Sequence, residues 1–268
     1  MSLIPNAKSD SSEDEYNLKI RWTCSQCAKN DCQCETEVQL NDKGIYKVKC
    51  NGGHSMVAIM NQPKFVTLID MGIFALLDGY PREAATNIAA ALERFYEFCI
   101  YVIAKKNGMS QELFDDTWKL TKLTERQYGA FCFLYSMELK KSPQKMRKWT
   151  EFRNNITHNG YIPSFEEVIN ETEQVWQFIG ETFYELILSY PQIVADAFVL
   201  NQKSYYQNNK NETDAIQSIV PIGTLTSYKF HINDVQKWED TTFRKLVDEI
   251  KNSDAHQWFS LNCKPQRD

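Results

Sequence analysis

The 268-residue chain has no run of about eighteen apolar residues that could cross a bilayer as a helix. Its nearest candidate, residues 65–77, is short and interrupted by Asp70. Glycine and proline are scarce, at ten and eight, which disfavours a fold of many tight turns and favours long regular elements. Positive charge is not in surplus. A net charge of −5 excludes a bulk polyanion binder, because phosphate neutralisation supplies most non-specific affinity for nucleic acid. No P-loop, no G-x-S-x-G and no dinucleotide fingerprint occurs, so ATP-dependent phosphoryl transfer, serine hydrolysis and dehydrogenation have no support. There is no internal repeat. The opening MSLIPNAKSDSSEDEYN is polar and acidic, unlike a secretory signal, so the expectation is a soluble cytoplasmic protein with no membrane partner.

What the chain does have is a core-forming composition, 43% hydrophobic and 13% aromatic, which argues against disorder over most of its length. It also has eight cysteines, five of them between Cys24 and Cys50. Without a signal for secretion, clustered cysteines read as metal ligands rather than as a disulfide framework. Cys99, Cys132 and Cys263 sit in or near apolar surroundings and read as packing residues.

Residues 1–16 form an acidic tail. Residues 17–64 contain strand-like runs (LKIRWT, ETEVQL, GIYKVKC, HSMVAIM) and make a small β-rich module. Cys24-x2-Cys27 follows the first strand, and Cys50-x3-His54 lies on a Gly-containing turn after the third. Two ligand pairs at two hairpin tips are how a zinc ribbon builds a tetrahedral site, and the metal supplies folding energy that so small a module lacks. Cys24, Cys27, Cys50 and His54 are the favoured set; Cys32 and Cys34 could replace the second pair or belong to another site. No H-E-x-x-H or H-x-E signature accompanies them, so the zinc reads as structural.

From residue 65 to about 201 the pattern is helical. Residues 80–106 carry Ala85, Ile88, Leu92, Phe95, Cys99 and Val102 at spacings of three and four, with Pro81 in the first turn and Asn107-Gly108 as the stop. A helix over 110–123 follows, then one over 124–139 with Thr124 and Gln127 at capping-box spacing. Ser142-Pro143 reads as the start of a helix that stops at Asn159-Gly160. Ser164 and Glu167 open a long helix to about 189, and residues 191–201 add a short one. Residues 202–214 read as a polar hinge, 219–232 as containing a strand with Leu225, Tyr228, Phe230 and Ile232, and 234–251 as a last helix. The domains expected are thus the tail, the β module, the bundle, and a C-terminal region of 202–268 comprising the hinge and a small α/β appendage. The fold class is mainly α.

The helix ending in RNNITH places Met146, Trp149, Phe152 and Ile156 on one apolar face. Arg147, Thr150, Asn154 and His158 form a polar stripe beside it, and Arg153 lies at the boundary. Arg, a polar residue, three more residues and His, late in a bundle helix that stops at once, resembles the R-N-x3-H signature of HEPN domains. The resemblance covers roughly 65–201. It implies a HEPN-like bundle with metal-independent endoribonuclease activity on single-stranded RNA or tRNA loops, at a cleft where two such domains pair as a homodimer. It also implies a toxin or antiviral (abortive infection) role, with a partner protein that inhibits or activates. The residue types suit the chemistry. Histidine as a residue type suits a base at neutral pH, so His158 can take the 2′-hydroxyl proton, Arg153 can hold two phosphorane oxygens, and Asn154 can orient His158 or donate to phosphate.

Family members often carry an acidic or polar residue facing the motif from an earlier helix. Glu93 fits that place better than Glu97, though a salt bridge to Arg94 or to a bundle partner explains Glu93 equally well. Lys140, Lys141, Lys145, Arg147 and Lys148 crowd ahead of the motif as a basic ridge suited to RNA phosphates, or as a solvated helix face. Tyr205 and Tyr206 could stack bases or pack on the bundle. His231 and His256 have no companions that suggest chemistry. The competing reading of RNNITH itself is an ordinary helix end, with Arg153 solvated and His158 beside the last carbonyls. The protein is then a non-catalytic adaptor that binds RNA or another protein through its zinc module and bundle. DNA binding through the zinc module has little support, because Lys29, Lys43, Lys47 and Lys49 are offset by Asp31, Glu35, Glu37 and Asp42.

Overall fold

A computed structural model describes residues 19–24, 27, 35–121, 123–208, 219–222, 230 and 241–252. Among them the chain is mainly helical with a small β module. Four strands come first: β1 (Lys19–Thr23), β2 (Glu35–Gln39), β3 (Ile45–Lys49) and β4 (Ser55–Met60). The helices α1 (Lys64–Leu77), α2 (Pro81–Lys106), α3 (Gln111–Leu120), α4 (Thr124–Leu139), α5 (Arg147–Asn159), α6 (Phe165–Ser189), α7 (Pro191–Phe198) and α8 (Leu200–Asn208) follow. Strand β5 (Ile219–Ile222) and helix α9 (Phe243–Asn252) complete the described chain.

The β module is two small sheets. β1 and β2 pair antiparallel, Lys19 opposite Gln39 and Thr23 opposite Glu35. β3 and β4 pair antiparallel, Ile45 opposite Ile59, and β5 joins β4 in parallel with Val57 opposite Ile219. A parallel partner so far along the sequence can only be set by tertiary packing.

The sequence explains the placement of α2 at the centre. Its apolar positions run all round the second half of the helix, so Phe95, Phe98, Cys99, Val102 and Ile103 are buried against several neighbours at once. α1, α4, α5, α6 and α7 all pack on it. An aromatic cluster fills the junction. The Phe65 ring meets Phe95 edge-on at 5.1 Å and Phe230 at 5.2 Å, and Phe95 meets Phe178 at 6.0 Å. The C-terminal segment is tied to the same core, since Phe230 and Phe243 are buried and Trp176 Nε1 donates to the Thr241 carbonyl at 2.8 Å. Lys106 on α2 pairs with Glu138 on α4 at 2.7 Å, and the Tyr190 hydroxyl donates to the same carboxylate.

Several caps and element bounds differ from expectation, some of them because tertiary contacts take the side chains. Thr124 and Gln127 do not cap α4. The N-cap is Leu123, without a side-chain bond; Thr124 donates to Glu93 and Gln127 accepts from Arg94, so α2 takes both side chains. Ser142-Pro143 does not start α5, which begins at Arg147. The preceding segment is not helical, with Met146 buried and the Lys145 carbonyl accepting from Gln174. α3 stops at Leu120, short of the expected 123, and Ser110 is its N-cap, accepting from Leu113 N at 3.1 Å. Much of the hinge read over 202–214 is helix α8, held by Asn61 Nδ2 donating to Gln202 at 2.9 Å and by Tyr205 buried against Val57 and Ile59. The strand expected within 219–232 is the short β5, with Leu225, Tyr228 and Ile232 outside the described residues. The last helix begins at Phe243, where Thr242 Oγ1 accepts from Lys245 N at 3.1 Å. The Ser164–Glu167 capping box forms in full. The 1–16 tail, the Tyr206 side chain, His231, His256 and Cys263 lie outside what is described.

Candidate functional site

The turn between β3 and β4 is built around the second ligand pair. Cys50 N donates to the His54 carbonyl at 3.0 Å and Gly53 N to the Cys50 carbonyl at 2.8 Å. Gly53 takes the left-handed conformation with φ 84°, which glycine adopts without strain. The tight turn points Cys50 and His54 toward Cys24 and Cys27, which follow β1. Cys27 Sγ stands 3.3 Å from His54 Nδ1, Cys50 Sγ 3.5 Å and Cys24 Sγ 3.8 Å, while Cys27 and Cys50 Sγ are 3.7 Å apart. In a tetrahedral site with metal–sulfur bonds of about 2.3 Å and metal–nitrogen bonds of about 2.0 Å, ligand atoms stand roughly 3.5–3.8 Å apart. These four separations, 3.3–3.8 Å, are close to that cage, and the 3.7 Å between Cys27 and Cys50 Sγ is far too long for a disulfide. The four donor atoms all lie within 4.8 Å of one another and can hold a metal ion.

The three cysteines are buried and His54 is half-buried, so the cluster is closed to solvent on most sides. Burial pushes the Cys50 thiol up, but hydrogen bonds from the His54 backbone, the Cys27 and Cys24 thiols and the His54 ring outweigh it and bring Cys50 down to about 6. That favours thiolate, the form a metal binds. Gly52 is part of the same construction, because a Cβ there would come within 2.8 Å of Cys27 Sγ. The Gly-containing turn is evident in the sequence, but the approach of Gly52 to Cys27 is a tertiary contact that no local spacing encodes. Cys32 and Cys34 lie outside the described residues.

The second site lies between α2, α4 and α5. Trp149 and Ile156 anchor α5 in the core with Met146 just ahead of it, and Phe152 is half-buried beside Trp149. Gly160, left-handed at φ 66°, ends the helix, and Tyr161 N returns to the Asn155 carbonyl at 3.1 Å. The anchored face turns Arg153 toward α2. Its Nη2 donates to Glu93 Oε1 at 3.4 Å and its Nη1 to Asn154 Oδ1 at 3.2 Å. Thr124 Oγ1 donates to the same Glu93 oxygen at 3.1 Å. Arg94 turns away to Glu97 at 2.6 Å, so Glu93 takes Arg153 and not its sequence neighbour. The Arg153 and Glu93 side chains remain 33% and 25% exposed and line a cleft of about 500 Å³ with Tyr96, Tyr128, Lys145 and Arg147. Burial pushes the Tyr96 hydroxyl well up and, with Cys132 adding, Tyr128 to about 12, so both are neutral donors at physiological pH.

The structure therefore brings Glu93, Arg153 and Asn154 together. It does not bring His158 into the cleft lining; His158 is exposed in the last turn of α5, one turn beyond Asn154. The basic residues divide. Lys145 and Arg147 line the cleft, with Arg147 also paired to Glu151 at 2.9 Å. Lys140, which closes α4, donates to the Met137 carbonyl at 2.7 Å, Lys141 pairs with Glu185, and Lys148 is exposed elsewhere on α5. Thr124 is a further site residue whose capping-box spacing to Gln127 points to a helix cap; its bond to Glu93 depends on α4 starting beside α2. Among the described residues, no helix is long and apolar enough to cross a membrane. Compared with family models, with curated proteins and with solved structures, the chain matches none.

Proposed function

We propose that the chain is an endoribonuclease of the HEPN type, acting on single-stranded RNA or tRNA loops from the α2–α5 cleft. The observation that supports this best is the meeting of Glu93 with Arg153 at an open cleft, where an otherwise buried-facing guanidinium is fixed in direction yet still one-third exposed. A guanidinium so held can present its free N–H groups to a phosphodiester without first being ordered. Lys145 at the rim adds a positive charge, while Arg147 is paired with Glu151.

In the reaction His158 takes the proton of a 2′-hydroxyl, and that oxygen attacks the adjacent phosphorus. The bond to the 5′-oxygen breaks, and the leaving oxygen collects a proton. The products carry a 2′,3′-cyclic phosphate and a 5′-hydroxyl. Arg153 holds the non-bridging oxygens as charge builds on them, Glu93 holds Arg153, and Asn154 donates to phosphate or orients His158. Arg153 and His158 are five residues apart, about 7.5 Å along the helix axis and roughly 140° around it, so the substrate has to reach round the end of α5 from the cleft to His158. Zinc is the ion proposed for Cys24, Cys27, Cys50 and His54, since three thiolates and an imidazole in a tetrahedral cage suit it. Its part is to hold the β module together. It takes no part in the proton transfers.

The test is cleavage of a single-stranded RNA pool by the full chain without added divalent ions. The wild-type protein is expected to cut and leave cyclic-phosphate ends. Arg153→Ala should reduce the rate on the order of 10²–10³-fold and His158→Ala on the order of 10²–10⁴-fold, with folding intact. Cutting that survives both substitutions removes the site from the reaction. The adaptor reading draws on the position of His158 outside the cleft, and it predicts RNA binding that Arg153→Ala weakens, with no cutting by any form.

A further inference from the structure

The two walls of the α2–α5 cleft carry different chemistry. On the α4 side, Thr124 and Glu125 precede Tyr128 by four and three residues and share its face of the helix. On the α5 side stand Lys145, Arg147 and Arg153. Most of the charges are satisfied within the chain, since Arg153 holds Glu93 at 3.4 Å and Arg147 holds Glu151 at 2.9 Å. Two are not. The Glu125 carboxylate and the Lys145 ammonium have no hydrogen bond or ion pair among the described residues, although both line the cleft. Between them the Tyr128 ring is 36% exposed. Its direction is set by Cys132, which takes its hydroxyl, and by the Tyr96 ring, which packs on it at 5.3 Å. Leu92, Met146 and Trp149 make the neighbouring lining apolar. A fixed aromatic face, with an unpaired carboxylate on its own wall and an unpaired ammonium on the other, suits a molecule with a planar ring, a donor edge and a phosphate.

We infer that the cleft is a guanine pocket: it holds the base of the nucleotide on the 3′ side of the cut, with the ring on Tyr128 and its N1–H and 2-amino group donating to Glu125. The inference rests on the endoribonuclease reading above, which sets which nucleotide the cleft takes. His158 draws the ribose with the reacting 2′-hydroxyl round the end of α5, so the ribose whose 5′-oxygen leaves lies on the cleft side of the phosphate. Arg153 and Lys145 meet that phosphate from the α5 wall. Stacking on Tyr128 is open to every base and gives affinity without choice. The choice comes from Glu125, because Glu93 is already engaged by Arg153 and Thr124. A carboxylate only accepts hydrogen bonds, and guanine alone of the four RNA bases sets two N–H donors side by side on its pairing edge. Adenine and cytosine put a ring-nitrogen acceptor beside their amino group, and uracil flanks its one N–H with two carbonyls. Each of these three sets a lone pair against a Glu125 oxygen.

The test is calorimetric titration of the full, metal-loaded chain with 5′-GMP and with 5′-UMP, beside mapping of the cut ends in an RNA that contains all four bases. 5′-GMP should bind on the order of tenfold or more tighter than 5′-UMP. Glu125→Gln, at an exposed position, sets an amide N–H against the guanine donors and should abolish that preference while the helical circular dichroism is unchanged. Tyr128→Leu should weaken both nucleotides on the order of tenfold, whereas Tyr128→Phe, which keeps the ring, should not. Lys145→Ala should weaken 5′-GMP and leave guanosine unaffected. Cuts should fall on the 5′ side of G. Equal binding of the two nucleotides, no binding of either at millimolar concentration, or a preference that survives Glu125→Gln overturns the guanine pocket. Cutting that needs Arg153 but falls at every base alike also overturns it, and leaves the ribonuclease reading standing. Selective 5′-GMP binding without any cutting keeps the pocket and removes the ribonuclease reading.

Discussion

The Cys24–Cys27–Cys50–His54 cluster and the Glu93–Arg153 cleft are both polar constellations, yet they are built in opposite ways. In the cluster four donors turn inward on a point, three of them fully buried, and a glycine backbone closes over one sulfur. In the cleft two opposite charges touch at 3.4 Å and both stay partly in water. Buried donors without a partner are costly, so a closed cluster is tied to the stability of the fold. A half-exposed ion pair contributes little to stability and leaves hydrogen-bonding capacity for something that arrives later. One cluster is closed and the other is open to solvent, and substitutions act on each in a different way.

The largest effect is expected from Cys27→Ser. Structural zinc contributes roughly 10–16 kcal/mol of apparent binding energy in isolated fingers, and that energy is available for folding only with the full donor set. The variant should purify without zinc and lose the cooperative unfolding of the β module, while the α2-centred bundle keeps its helical signal. Metal content and thermal unfolding by circular dichroism read both. A variant that keeps its zinc would show that the four residues do not form the site and would leave the comparison with one member.

Gly52→Ala is a gentler break of the same site. Its Cβ would need Cys27 Sγ, 2.8 Å away, to move, so zinc affinity should fall on the order of tenfold in a competition titration against a chelator. Gly53→Ala separates crowding from backbone strain. Its Cβ meets nothing, but the left-handed φ of 84° should cost about 1–2 kcal/mol of stability with little change in affinity. Equal losses of affinity from the two would mean that the turn acts through its backbone shape and not through contact with the sulfur.

The difference between the sites also explains what was legible in the sequence. The ligand set could be read because C-x2-C and C-x3-H are local spacings, and hairpin tips deliver local pairs to one point. α2, the capping box at Ser164 and the stop at Gly160 could be read for the same reason. Glu93 could be singled out by its place at the edge of an apolar stripe, but its choice of Arg153 over Arg94 depends on how α5 lies on α2. Where tertiary contacts recruit a local signal, the reading fails. Thr124 and Gln127 carry capping spacing but serve α2, and Met146 ahead of α5 is buried where Ser142-Pro143 suggested a helix already under way. The pairing of β5 with β4 and the burial of Tyr205 under the same sheet are contacts between distant segments, and no spacing within either segment encodes them. His158 shows the limit from the other side. Its i, i+4 relation to Asn154 was legible, but one further turn of helix carries it past the cleft wall.

The smallest effect sharpens the comparison most. Glu93→Gln removes the charge that holds Arg153 but keeps a side-chain oxygen that can still accept from Thr124 Oγ1. Because both partners are partly solvated, the change should cost no more than about 1 kcal/mol in denaturant unfolding. Arg153→Ala should fall in the same range, and the double variant should cost little more than either single one, since both remove the same pair. A loss above about 2 kcal/mol for Glu93→Gln would mean that Arg153 is left as an uncompensated buried charge. The cleft would then belong, like the Cys24–Cys27–Cys50–His54 cluster, to what holds the fold together. A small loss leaves Arg153 folded in place with its guanidinium free for phosphate, and any change in RNA binding or cutting by Glu93→Gln then reports on the site and not on stability.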